Sequence, residues 1–172
     1  MYPASTTKIV TAILTLENSN LSDKVTASYN AVMSIPDGYS KADIQIGEVL
    51  TIEQLLEILL VYSGNDAANV LAEHIGGSID SFVSMMNTKV HDLGLENTNF
   101  TNTYGKHDEN HYTTAYDLAK IMQYCLKNES FRNLAGKASC AIPATNMHKP
   151  RLYKSTNELI IPNSNFYYSN LT

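Results

Sequence analysis

Apolar residues recur at helical spacing through Ile9-Val10-Thr11-Ala12-Ile13-Leu14, and the pattern predicts a helix from about Ser5 to Asn18. Lys24-Val25-Thr26 alternates in the manner of a short strand, and Pro36-Asp37-Gly38 marks a turn. Thr51-Ile52-Glu53-Gln54 has the form of a capping box and opens a helix over about 52–62. Further helices are predicted at 66–75 and 79–92, the second with Ser78 as N-cap and Gly94 as its stop. A polar loop over 94–113 leads to Thr114-Ala115-Tyr116-Asp117, which starts a helix reaching about Leu126. A short helix over 130–134 follows, and from Ala138 to Thr172 the chain is glycine-poor, punctuated by Pro and Asn, and β-like.

With 172 residues, 44% of them hydrophobic, the chain can bury one sizeable core. A net charge of −5 argues against nucleic acid as a partner. No apolar run approaches the roughly 20 residues of a membrane span, and no signal-peptide pattern begins the chain. Cys125 and Cys140 are too few for a disulfide framework and read as buried or half-buried thiols. Met85-Met86 reads as core filler. His107 and His111 bracket acidic and amide residues, but their spacing lacks a second ligand pair, so hydrogen bonding is expected there and no metal site. Phe166-Tyr167-Tyr168 fits either a sugar-stacking platform or an exposed edge strand. Asn128-Glu129-Ser130 and Asn170-Leu171-Thr172 have the form of glycosylation sequons.

The chemistry begins at Ser5-Thr6-Thr7-Lys8. Residues three apart share a helical face, about 5–6 Å between Cβ atoms, so the Lys8 amine can reach the Ser5 hydroxyl. A serine alcohol needs a base to become a nucleophile, and a neutral lysine can be that base. The positive end of the helix dipole and burial both push Lys8 toward the neutral form. Alone, the same four residues also read as a capped helix start with an exposed lysine. Downstream, Ser63-Gly64-Asn65 sits at a helix-to-helix junction, where side chains can face a cleft.

S-x-x-K followed by S-x-N makes two of the three motifs of serine penicillin-recognising enzymes. On these motifs the chain resembles the low-molecular-mass penicillin-binding proteins that act as serine D-Ala-D-Ala carboxypeptidases. The likeness extends over Tyr2 to Ala12, Ala42-Asp43-Ile44-Gln45-Ile46-Gly47-Glu48, Ser63 to Ala68, His107 to Ala119 and Ile142-Pro143-Ala144-Thr145-Asn146. The resemblance implies an α+β fold of the β-lactamase/transpeptidase type. Its helical subdomain would cover about 5–135, a β-like tail about 138–172, and the central antiparallel sheet would be incomplete. It implies Ser5 as nucleophile, Lys8 as its base, Ser63 as proton relay to the departing D-alanine, and Asn65 as a ligand of the substrate amide. The substrate would be a peptidoglycan stem peptide ending in D-Ala-D-Ala, cleaved outside the cytoplasmic membrane through an acyl-enzyme that β-lactam antibiotics mimic. No cofactor or metal is implied.

The third motif, K-T-G, is absent, and no glycine follows Gly136. The resemblance puts that motif just past Thr172 and opening strands before Met1, so the chain is expected to be truncated at both ends. Loss of one oxyanion donor costs about 2.7–4 kcal/mol of transition-state stabilisation, so the chain alone is expected to be nearly inactive. Exposed sheet edges would then let two copies pair, and the longer parent could be membrane-associated. A serine β-lactamase and a non-catalytic cell-wall scaffold are the alternative readings.

Overall fold

In the computed structural model, which describes residues 1–168, two helices form the centre. The first is α1 (Lys8–Asn18), in which Val10 through Thr15 are all buried. The fourth, α4 (Asn65–Gly76), is buried continuously from Asn65 to Ala72 and packs against α1. A helix with no polar face belongs in an interior, and its polar side chains must find partners there. Thr11 Oγ1 donates to the Thr103 carbonyl at 2.6 Å and Thr15 Oγ1 to the Thr11 carbonyl at 2.8 Å.

Around this pair lie α2 (Tyr29–Met33), α3 (Ile52–Glu57), α5 (Ile79–Asp92), α6 (Ala115–Cys125) and α7 (Glu129–Ala135). Two small antiparallel pairs complete the α+β architecture. β1 (Lys24–Thr26) pairs with β2 (Val49–Thr51), with Val25 opposite Leu50 and both buried. β3 (Ser139–Ile142) pairs with β4 (Arg151–Lys154), and Cys140 and Ile142 turn inward. One core cluster runs from Val10 to Ile142.

Several boundaries agree with the sequence. α5 starts on Ser78, whose side chain accepts the Ser81 N–H, and buries Phe82, Met86 and Val90 at i, i+4 and i+8. It ends in a Schellman motif, with Leu95 N–H on the Val90 carbonyl, Gly94 N–H on that of His91, and Gly94 at φ +73°. Thr51 and Gln54 form the reciprocal capping box of α3, and Thr114 caps α6 through the Asp117 N–H. Met86 is core, whereas Met85 packs half-buried against it. Cys125 and Cys140 are buried, free thiols, and burial raises their pKa values to about 12 and about 11.

Three expectations are corrected and one is refined. The helix from Ser5 opens as a 3-10 turn (Ala4–Thr7) before α1, with Ala4 at φ +49°. The helix over 52–62 is α only through Glu57 and widens into a π-helical turn (Ile58–Tyr62), whose all-apolar residues give no periodic signal of the change. The polar loop over 94–113 is a loop with an interior side and one bridge: Thr98, Phe100, Thr103, Tyr104, His111 and Thr113 are buried, and Asn99 bridges Tyr112. Beyond β4 the described chain has a 3-10 turn (Glu158–Ile160) and no strand, so Phe166-Tyr167-Tyr168 is exposed but forms no edge strand. The sequon at Asn170 lies outside the described residues.

Candidate active site

Ser5 sits exposed in the 3-10 turn and Lys8 directly follows it. Side chains three apart eclipse one another in a 3-10 helix, which aligns the two groups more closely than an α-turn does. Lys8 Nζ is 3.3 Å from Ser5 Oγ and donates to the Tyr104 carbonyl at 3.1 Å. With Lys8 only 3% exposed, burial lowers its pKa to about 8, against a smaller opposing pull from the charge of Asp66. A lysine in that range is partly neutral near pH 7, and its free lone pair then faces a hydroxyl proton.

The Tyr104 carbonyl is aimed by its own loop. Asn102 Oδ1 accepts the N–H groups of Gly105 and Lys106, each at 2.8 Å, and curls residues 102–106 back on themselves. Gly105 takes φ +93°, and a Cβ there would stand 1.8 Å from the Ala4 carbonyl oxygen. The loop therefore presses directly on the turn that carries Ser5.

Thr7, fully buried, bonds His111 Nε2 at 2.8 Å through its hydroxyl. His111 Nδ1 accepts the Thr101 N–H at 3.0 Å, so the ring proton is on Nε2 and is donated to Thr7. Burial lowers the His111 pKa, with a smaller opposing effect from Asp108. His107 meets Tyr2 edge-on, ring centroids 4.5 Å apart. The hydrogen-bonding use expected for these histidines holds for His111.

Ser63 ends the π-turn in the left-handed region, φ +66°, which for a non-glycine residue stores strain. Its N–H and that of Gly64 both reach the Ile58 carbonyl. Asn65 is 5% exposed, opens α4, and donates its N–H to the Ser40 carbonyl at 3.0 Å. Ser5 and Lys8 thus meet directly. Ser63 and Asn65 are tied to them through the packing of α1 on α4 and through Thr103, which bonds Thr11 on one side and Asn69 Oδ1, at 2.5 Å, on the other.

A polar cleft of about 440 Å³ opens beside the 102–106 loop, with Asn30, Ser34, Asn69, Asn102, Tyr104 and Lys106 among its lining residues. None of the four motif residues lines it. Sequence reasoning missed Asn102, Tyr104 and Gly105, which act on the motif from about a hundred positions away. It also missed Asp66, whose place in a helix's first turn reads as an ordinary cap.

A serine and a buried lysine at the head of a central helix, with S-x-N at a neighbouring helix junction, make an arrangement whose chemistry can support nucleophilic attack by a serine. The chain belongs to the D-alanyl-D-alanine carboxypeptidase family, whose model matches residues 1–168. It is 40% identical over 141 residues to the D-alanyl-D-alanine carboxypeptidase DacF of Bacillus subtilis, covering 79% of this chain and 36% of that protein. Among solved structures, a D-alanyl-D-alanine carboxypeptidase of Mycobacterium tuberculosis superposes with TM-score 0.83 at 31% identity, over 92% of this chain and 59% of the other. Penicillin-binding protein 6B of Escherichia coli gives 0.83 at 26% identity, over 93% and 51%. The chain spans about a third of the length of the Bacillus relative and little more than half of these two solved chains.

Proposed function

We propose that the protein to which this chain contributes is a serine peptidase that removes the terminal D-alanine from peptidoglycan stem peptides, outside the cytoplasmic membrane. Ser5 attacks the carbonyl between the two D-alanines and Lys8 accepts its proton. The Ser5 N–H, in the first turn of the helical segment, is one oxyanion donor. Ser63 passes a proton to the departing D-alanine, and Asn65 hydrogen-bonds the substrate amide. Water then releases the acyl group. A β-lactam acylates the same serine, and the acyl group leaves slowly.

The observation that carries this reading is the Ser5–Lys8 contact of 3.3 Å around a lysine that burial holds near the pKa of a working base. The helical part to about 135 and the hairpin tail from about 138 are the two sides of the catalytic domain in this reading. The open edges of the β3–β4 hairpin are where a further strand, carrying K-T-G or belonging to a second copy, would add.

The test is intact-protein mass after incubation with benzylpenicillin, on this chain and on the chain extended beyond Thr172 through a K-T-G strand. The expected result is little adduct on the 172-residue chain and one stable adduct on the extended form, absent in Ser5→Ala. An extended chain that is never acylated overturns the proposal, and one that hydrolyses penicillin rapidly is a β-lactamase instead.

A further inference from the structure

Asp66 adjoins Asn65 and is 1% exposed. The N–H of Ala42 reaches both of its oxygens, at 3.0 and 2.8 Å, that of Ile44 donates at 3.1 Å, and that of Ala67 at 3.0 Å. Among the described residues no ion pair includes it. A carboxylate serving only its own helix would bind Ala67 and stop there. This one also reaches back 24 and 22 residues to gather a loop.

The loop it gathers lies against Ser63-Gly64-Asn65. Asn65 N–H bonds the Ser40 carbonyl, and a Cβ on Gly64 would stand 3.2 Å from the Ala42 methyl and 3.0 Å from Asp66 Oδ1. Asp43, between the two loop donors, takes φ +56°, a left-handed conformation that is strained for a residue with a Cβ. Charge-assisted bonds from its two neighbours to a buried carboxylate are strong enough to offset that.

The carbonyl of the same residue is held as well. The Ala42 carbonyl accepts the Tyr153 hydroxyl at 2.7 Å and Arg151 Nη1 at 3.4 Å, both from β4. Arg151 in turn pairs with Glu48, which is fully buried and also accepts Thr145 Oγ1 and the Gln45 N–H. Both backbone polar groups of Ala42 are thereby held, the N–H from the Asp66 side and the carbonyl from the hairpin.

We propose that Asp66 is the positioning residue of the site: by holding Ala42 and Ile44 it fixes the loop against which Ser63 and Asn65 are oriented. The proposal deepens the serine-peptidase reading and rests on it for the meaning of that orientation. Asp66 also places its charge where it acts on Lys8, opposing the effect of burial there.

The test uses nuclear magnetic resonance on the whole chain and needs no catalysis. Asp66→Asn keeps the side chain's volume but replaces one acceptor oxygen with a donor. Expected are amide exchange at Ala42, Ile44 and Asn65 faster by about tenfold or more, the weight of one hydrogen bond, and a Lys8 titration midpoint below about 8. Asp66→Glu, which keeps the charge but misplaces it, should loosen the same amides while leaving the Lys8 midpoint closer to its original value. Unchanged exchange and an unchanged midpoint in Asp66→Asn overturn the proposal. Where Asp66→Asn does not fold, Asp66→Glu carries the exchange test alone. Faster exchange at Ala42 and Ile44 is then expected, because the longer side chain cannot keep both bonds, and unaltered exchange overturns the proposal. Because these readouts do not involve penicillin, a failure of Ser5 to be acylated stays distinguishable from a failure of Asp66 to position.

Discussion

Gly105 and Ala4, a hundred residues apart in sequence, are in contact so close that a methyl group on Gly105 would stand 1.8 Å from the Ala4 carbonyl oxygen. Ala4 is itself at φ +49°, and the next residue is Ser5. The turn that presents the nucleophile is therefore pressed into shape by a loop from the other half of the chain. Gly105→Ala must open that contact and also hold a side chain at φ +93°. Overpacking and left-handed strain together should cost about 3 kcal/mol or more, read as a lower denaturant midpoint of this chain. In the extended chain the same substitution should slow acylation by penicillin.

Lys8 has a pKa lowered to about 8 by burial. Its neutral fraction is about one tenth at pH 7 and half at pH 8. The acylation rate of the extended chain should therefore rise about fivefold between those pH values and level off above pH 9. Lys8→Arg, charged at every accessible pH, should lower the rate at least ~100-fold and abolish the rise. Stopped-flow acylation across pH 6–10 measures both.

Ser63 combines strain with a role in the proposed chemistry. A residue other than glycine at φ +66° costs on the order of 1 kcal/mol, and glycine removes that strain while adding freedom to the unfolded chain. Ser63→Gly should leave stability within about 1 kcal/mol of the original. Acylation of the extended chain should fall about 100-fold, the lower end of what a general acid–base group supplies. Equal losses of both would contradict the relay.

His111 is held neutral by geometry, since Nδ1 accepts the Thr101 N–H and a second proton there would face that donor. Its folded pKa lies below the ordinary value. Between the two values the unfolded state binds more protons, so this contribution to stability is complete above about pH 6.5 and is lost as pH falls through the folded pKa. Urea titrations from pH 7.5 to 4.5 should show the fall. His111→Ala should remove this part of the dependence and cost about 1–3 kcal/mol for the buried groups it leaves unpaired.

How much of this was legible followed from the range of the interactions. Phe82, Met86 and Val90 repeat at helical spacing between Ser78 and Gly94, and α5 could be read nearly to the residue. α2, only five residues long, has too few turns to show a period, and β2 is hidden by the capping box that immediately follows it. In the site, the Ser5–Lys8 pairing is local and the spacing announces it. The Tyr104 carbonyl, the Gly105 contact and the reach of Asp66 to Ala42 join residues tens of positions apart, with no motif to mark them.

The π-turn at Ile58–Tyr62 has a consequence that lies in phase rather than in contacts. Each residue of an α-helix advances the chain about 100° around its axis. A turn closed by i→i+5 bonds holds one residue more than an α-turn would. Were the same residues wound as a regular α-helix instead, they would carry Ser63 and all that follows about 100° further around the axis. The widened turn is thus an angular offset written into the backbone, setting the bearing of the Ser-Gly-Asn junction relative to the helix that delivers it.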